Sequence, residues 1–263
     1  MDIARISACT YPLRERPWQE ALEVVAQAGY KKVDLLGRAP HLSLDPAECD
    51  PAVVATAAEA LGLRIANLGT YVGRGFAAQE PAALEAELAL TRRAIEVASL
   101  FGARSIRVVP GDDQPAGIDH IAPWFARAAE FAARAGVYMG FETHGGGISG
   151  SPARARELAD KVGSPWFGVL YDPSNIMGCG VDYRVALWEM REHIVHVHVK
   201  DGAVTMDKGY GRTMLGQGQV DYGWVLGALD RIGYTGDLAL EYELPDPAPE
   251  VGLVAFLQAA LAL

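Results

Sequence analysis

From its first residues the chain alternates two hydrophobic patterns: short, nearly continuous apolar runs, and longer stretches in which apolar residues recur every three or four positions. The first pattern is that of a buried strand, the second that of an amphipathic helix. Ile3 to Ala8 reads as a strand and Trp18 to Ala28 as its helix, with Ala21, Leu22, Val25 and Ala28 on one face and Gly29 as a natural stop. Lys32 to Leu36 is followed by a helix over Pro51 to Leu61, and Arg64 to Leu68 by a long one over Pro81 to Phe101. The rhythm continues with Ser105 to Val109 and Ile118 to Ala135, Val137 to Thr143 and Ala153 to Val162, then Trp166 to Tyr171 and Tyr183 to Arg191. Ile194 to Lys200 with Val220 to Ile232, and Gly236 to Glu241 with Pro249 to Leu263, complete the series.

Eight strand-helix units in 263 residues predict a single α/β domain over 1–263, a (β/α)8 barrel of the TIM type. An open doubly wound sheet would use the same alternation, but it usually carries a glycine fingerprint after an early strand, and none is present. Gly216-Gln217-Gly218 lacks a third glycine and follows a loop, so its glycines read as turn formers.

Half of the residues are hydrophobic, enough for one large core, and no Pro/Ser-rich linker divides the chain. The net charge of −10 argues against nucleic acid or an anionic membrane surface as partner, while leaving room for a small basic pocket. Cys9, Cys49 and Cys179 are odd in number and unpaired in spacing, which fits a reducing compartment. With neither a basic-then-apolar leader nor an uninterrupted apolar run of about 18 residues, the expectation is a soluble, cytoplasmic protein.

Candidate chemistry collects at the ends of the last four strands, and in a barrel of this type the C-terminal strand ends form the active-site face. They read Phe141-Glu142-Thr143-His144, Tyr171-Asp172-Pro173-Ser174-Asn175, His196-Val197-His198-Val199-Lys200-Asp201 and Leu240-Glu241-Tyr242-Glu243. His196 and His198 alternate with valines and so project to one side of their strand. Any one of these residues has a structural explanation, such as a turn former, a salt bridge or a hydrogen-bonded core histidine. Four neighbouring strands each delivering an acid or imidazole to one rim would suffer desolvation and mutual repulsion, a conflict that a divalent cation removes. An oxygen-rich donor set suits Mn²⁺ first, with Mg²⁺, Co²⁺ or Zn²⁺ as alternatives. Glu142 and Glu241, roughly across the barrel from each other, could then move a proton next to a metal-polarised carbonyl as an acid/base pair.

At these residues the chain resembles the sugar phosphate isomerase/epimerase family, the xylose-isomerase-like barrels that include ketose 3-epimerases, inosose dehydratases, hydroxypyruvate isomerases and endonuclease IV. Leu215-Gly216-Gln217-Gly218-Gln219-Val220-Asp221-Tyr222 and Gly233-Tyr234 belong to the match, which covers most of the second half; the first half agrees in rhythm only. The resemblance implies Glu142, Asp172, His198 and Glu241 as metal ligands, with Glu142 and Glu241 doubling as acid and base. His198 is preferred to His196, and Glu241 to Glu243, by position in the motif. Endonuclease IV needs more histidines than the six present.

Two positions depart from the ketose 3-epimerases. Asn175 stands where they carry a sugar-holding histidine, and Val204 where they carry an arginine. Lys200, Lys208 or Arg212 could supply the missing cation. Further candidate substrate contacts are His144, His196, Asp201, His41 and Asn67; Tyr11, Trp18, Phe76 and Trp124 include possible pocket walls, although an aromatic in a large barrel is more often core. Gly145 to Gly147 with Gly150 suggest a mobile loop or close backbone approach to a ligand. The expected protein is thus a metal-dependent isomerase or epimerase acting on a small carbohydrate or cyclitol. A lyase of the inosose dehydratase type, or a non-catalytic sugar-binding subunit, is the alternative. A homodimer or tetramer is the expected assembly.

Overall fold

The computed structural model describes residues 1–111, 117–207 and 209–263. Eight parallel strands close into a barrel: β1 (Ile6–Cys9), β2 (Lys32–Leu36), β3 (Arg64–Gly69), β4 (Ser105–Val108), β5 (Tyr138–Glu142), β6 (Phe167–Tyr171), β7 (Ile194–Val199) and the short closing strand Leu238–Leu240. Between β7 and that last strand lies an antiparallel hairpin of β8 (Asp201–Thr205) and β9 (Gly209–Thr213), so the closing strand is β10. It pairs with β1 on one side and β7 on the other. The hairpin is an addition that the strand-helix rhythm did not predict. Val204, Thr205 and Gly209 are exposed, and a two-stranded ribbon without an apolar face leaves no hydrophobic pattern to read.

The helices form the outer layer: α1 (Trp18–Gln27), α2 (Pro51–Ala60), α3 (Pro81–Leu100), α4 (Ile118–Ala135), α5 (Pro152–Val162), α6 (Pro173–Gly178), α7 (Tyr183–Met190), α8 (Tyr222–Arg231) and α9 (Pro249–Ala262). Proline occupies the first turn of α2, α3, α5, α6 and α9, where its missing N–H has no intrahelical partner to lose. Asp50, Asp172, Asp182 and Asp221 cap their helices through the carboxylate. The sequence placed a strand over Ile3 to Ala8. Its first turn is instead a 3-10 turn, Ile3–Arg5, capped by Asp2.

The core fills the space between barrel and helices with apolar side chains such as Leu22, Val54, Phe125, Leu158 and Phe256. Phe76, fully buried, stacks on Trp124 and meets Phe125 edge-on, and Trp18 packs against the same core. Those three aromatics therefore belong to the core, the commoner place for an aromatic in a large barrel, whereas Tyr11 lines a pocket. No helix among the described residues is long and apolar enough to cross a membrane.

Candidate active site

Inside the barrel the packing turns polar. Asp34 of β2, Asn67 of β3, Ser105 of β4 and His196 and His198 of β7 are all buried, and they bond to one another across the interior. Ser105 Oγ donates to Asn67 Oδ1 at 2.6 Å, and Asn67 Nδ2 donates to Asp34 Oδ1 at 2.8 Å. His196 Nε2 and His198 Nε2 lie 3.0 and 3.3 Å from Asp34 Oδ2. Burial opposes ionisation of Asp34, yet hydrogen bonds from both histidines hold its carboxyl well below the usual carboxylate range.

Above this layer, at the C-terminal strand ends, Glu142, Asp172, His198 and Glu241 each offer a ligand atom, all within 4.8 Å of one another. His198 Nδ1 is 3.3 Å from both Glu142 Oε1 and Glu241 Oε2. Asp172 is fixed as the α6 cap, its Oδ1 accepting from the Asn175 N–H at 2.8 Å. Thr143 bridges to its backbone. Two buried atoms here, His198 Nδ1 and Asp172 Oδ2, make no well-aligned hydrogen bond; the first has only the two carboxylate contacts and the second only the Lys200 ammonium at 3.2 Å. Three carboxylates and one imidazole with unsatisfied atoms facing a common point suit a divalent cation with hard or borderline preferences. These residues fit such an ion.

Cations balance the rest. Arg107 Nη1 donates to Glu142 Oε2 at 2.9 Å, while its Nε bonds the Thr70 carbonyl and its guanidinium stacks over the Tyr71 ring. Lys200, itself buried, reaches Glu241 Oε2 at 2.6 Å, Glu243 Oε2 at 2.9 Å and Asp172 Oδ2 at 3.2 Å. Arg212 Nε holds Glu243 at 2.6 Å. Asp34, Glu142, Asp172, Glu241 and Glu243 thus face Arg107, Lys200 and Arg212, leaving two negative charges if both imidazoles are neutral. A divalent cation would bring the cluster to zero.

Individual groups respond accordingly. Burial works against ionised Glu142, but the nearby His198 and Arg107 bring its pKa down to about 2. Burial likewise opposes the charge on Glu241, which Lys200 and His198 nevertheless hold well below the carboxylate range. Asp172 goes the other way, pushed up to about 6 by burial despite Lys200. Burial disfavours the charged forms of His198 and Lys200, and the surrounding carboxylates overcome it, raising both.

A cavity of about 320 Å³ opens over the cluster, lined by Tyr11, Tyr71, Arg107, His144, Lys200 and Arg212 together with Glu142 and Glu241. His144 is exposed on its wall, and Asn175 lies at the edge of an adjoining cavity with its Nδ2 on Glu142 Oε1 at 3.0 Å. β5 and β10, whose C-terminal ends carry Glu142 and Glu241, are separated by β6 and β7 on the shorter way round the eight-stranded barrel and so stand roughly across it from each other.

Four expected substrate contacts are corrected. His41 is buried against Thr10 Oγ1 and the Leu13 carbonyl, where it pins the loop after β1. Asn67 and His196 are consumed by Asp34 in the layer below the cavity. Asp201 points into its own loop, accepting from the backbone N–H groups of Gly202, Gly216, Gly218 and Val220. Gly218 is required there because a Cβ would collide with the Asp201 carboxylate. Lys208 lies outside the described residues. Asp34 and Arg107 went unread; the available signal was a charge in mid-strand between apolar residues, Val33-Asp34-Leu35 and Ile106-Arg107-Val108.

Residues 22–258 match the family model described as xylose isomerase-like TIM barrel. The chain belongs to that family. Within it, the chain is 28% identical over 200 residues to the L-ribulose-5-phosphate 3-epimerase UlaE of Shigella boydii serotype 18, covering 72% of this chain and 69% of that protein. Among solved structures, a D-allulose 3-epimerase from Methylomonas sp. superimposes with a TM-score of 0.76 at 18% identity, over 98% of this chain and 97% of that one. The probable 3-DHS dehydratase AsbF from Bacillus anthracis superimposes with the same TM-score of 0.76 and 18% identity, over 98% of each chain. At such identities the structural likenesses speak for the barrel, so within this family the reaction must be argued from the site.

Proposed function

We propose that this xylose isomerase-like barrel is a divalent-metal-dependent sugar isomerase or epimerase, with Glu142, Asp172, His198 and Glu241 as metal ligands and Glu142 and Glu241 as the acid/base pair. One observation carries the reading: carboxylate oxygens of Glu142 and Glu241 converge at 3.3 Å on the same buried imidazole nitrogen, and Asp172 offers a further oxygen within 4.8 Å. A divalent ion bound there supplies polarisation of a substrate carbonyl and lowers the cost of the negative charge that builds on it. Mn²⁺ is the first choice, with Mg²⁺, Co²⁺ and Zn²⁺ as alternatives.

The chain's own residues divide the remaining work. In one direction Glu142, kept ionised beside Arg107, takes the proton from the carbon next to the carbonyl. Glu241, itself held ionised, passes a proton from the Lys200 ammonium at 2.6 Å to the opposite side of that carbon, leaving Lys200 neutral and Glu142 protonated. The roles exchange in reverse. Tyr11, Tyr71 and His144 wall the sugar. Of the cations lining the cavity, Arg74 alone has no carboxylate partner among the described residues, so a phosphorylated ketose would find a counter-charge there. A lyase reading keeps the same ligands and aims the Lys200 ammonium, which also lines the cavity, at a departing hydroxyl.

The test is to incubate Mn²⁺-loaded protein with ketoses, ketose phosphates and inososes, and to follow products by chromatography and mass. Epimers or aldose–ketose pairs support the reading, and loss of water supports the lyase. Metal content is assayed in parallel: Glu241→Gln and His198→Ala should both lose the ion. Full retention in both would remove the ligand assignment.

A further inference from the structure

We propose that Asp34 is the positioning residue of this site: its carboxylate fixes His198 as the Nε2–H tautomer and so directs the Nδ1 lone pair at the cation. The inference rests on the metal reading above and goes beyond it to a residue in the barrel interior that lies outside the Glu142, Asp172, His198 and Glu241 ligand set.

Asp34 is 4% exposed, and its Oδ2 faces two imidazole nitrogens, His196 Nε2 at 3.0 Å and His198 Nε2 at 3.3 Å. An ionised carboxylate only accepts, so both Nε2 atoms must carry the proton. A neutral imidazole protonated at Nε2 has its lone pair at Nδ1, and in His198 that atom lies between Glu142 and Glu241 without a well-aligned hydrogen bond. The carboxylate cannot turn away, because Asn67 Nδ2 holds its other oxygen at 2.8 Å and Ser105 holds Asn67. Asp34 and Asn67 are register partners on β2 and β3, so this brace is built into the sheet. His196, chemically able to ligate, is taken out of the ligand set by the same carboxylate, which explains why one histidine of the pair joins the metal cluster. Cys9 Sγ lies farther from His198 Nε2, at 3.9 Å, than the Asp34 carboxylate at 3.3 Å.

Asp34→Asn separates positioning from packing, because the amide has nearly the same shape. While Asn67 keeps donating its Nδ2, the amide oxygen of the variant faces Asn67 and its NH₂ group faces the imidazoles. At least one imidazole then has to present an unprotonated Nε2, the wrong tautomer for binding through Nδ1.

The experiment uses the full chain with ¹⁵N-labelled histidine, loaded with diamagnetic Zn²⁺, and reads the ring nitrogens by long-range ¹H–¹⁵N correlation. In the parent protein His198 should show a protonated Nε2 and a zinc-bound Nδ1. Asp34→Asn should shift His198 toward the Nδ1–H form and weaken zinc about ten- to a hundred-fold, with the circular dichroism spectrum of the metal-free protein unchanged. Zinc bound to the parent through Nε2, or Asp34→Asn with unchanged tautomer and affinity, would overturn the assignment of Asp34 while leaving the metal reading intact. The parent spectrum decides even if the variant does not fold. No zinc binding by the parent would overturn both.

Discussion

Lys200 touches three carboxylates, Asp172, Glu241 and Glu243, from a fully enclosed position. Removing one partner of a buried ion cluster leaves uncompensated charge, so Lys200→Met should destabilise the metal-free protein by about 3–5 kcal/mol. Added divalent metal should recover more stability in that variant than in the parent, since the ion then carries more of the compensation; denaturant titration with and without metal reads both. The pH dependence follows from Asp172 and His198. Asp172, raised to about 6, must lose its proton to ligate, and so must His198, raised well above the ordinary histidine range. Metal affinity should therefore climb with pH, most steeply below about pH 6 where both protons are displaced, and calorimetry in buffers of different ionisation enthalpy should count them. The four proposed ligands were legible in the sequence because each ends a strand and lies in the stretch that resembles a known family. Asp34 and Arg107 were not, because they sit within first-half strands and act through partners far away in sequence, Asp34 through His196 and His198, Arg107 through Glu142. His41 illustrates the opposite error: a polar residue after a strand can be an internal brace.

The hairpin of β8 and β9 brings Tyr210 onto Ser174 at 2.7 Å and Arg212 onto Glu243, and Asp201 anchors its base. Asp201→Ala should free several N–H groups at once and cost about 1–3 kcal/mol. Limited proteolysis should then cut within 201–219, while metal affinity stays near that of the parent because no ligand has moved. At β6, a Cβ on Gly168 would run into the His193 carbonyl, and backbone gives way less readily than a side chain. Gly168→Ala should therefore lose about 1–3 kcal/mol, measured as a lower denaturation midpoint. Barrel strands and outer helices were readable because apolar periodicity fixes them. The hairpin and α6 were not, since α6 spans only Pro173–Gly178 and the hairpin buries little apolar surface.

Across the whole molecule, the barrel gathers four carboxylates and an imidazole from β5, β6, β7, β10 and the turn after it onto one face, while β2 supplies the brace beneath. A ligand that binds only the folded barrel at a hundred times its Kd adds about 2.7 kcal/mol of stability. For a chain of this size that should raise the thermal midpoint by roughly 5–10 °C, an effect absent in His198→Ala. The claim on which the rest depends is proton transfer at the carbon beside a carbonyl, and solvent isotope exchange tests it most directly. Metal-loaded protein in D₂O should introduce one deuterium next to the carbonyl of an accepted ketose or ketose phosphate, and Glu142→Gln and Glu241→Gln should abolish or strongly slow that uptake. Turnover of a substrate without deuterium incorporation, or uptake undiminished in both glutamine variants, would contradict it.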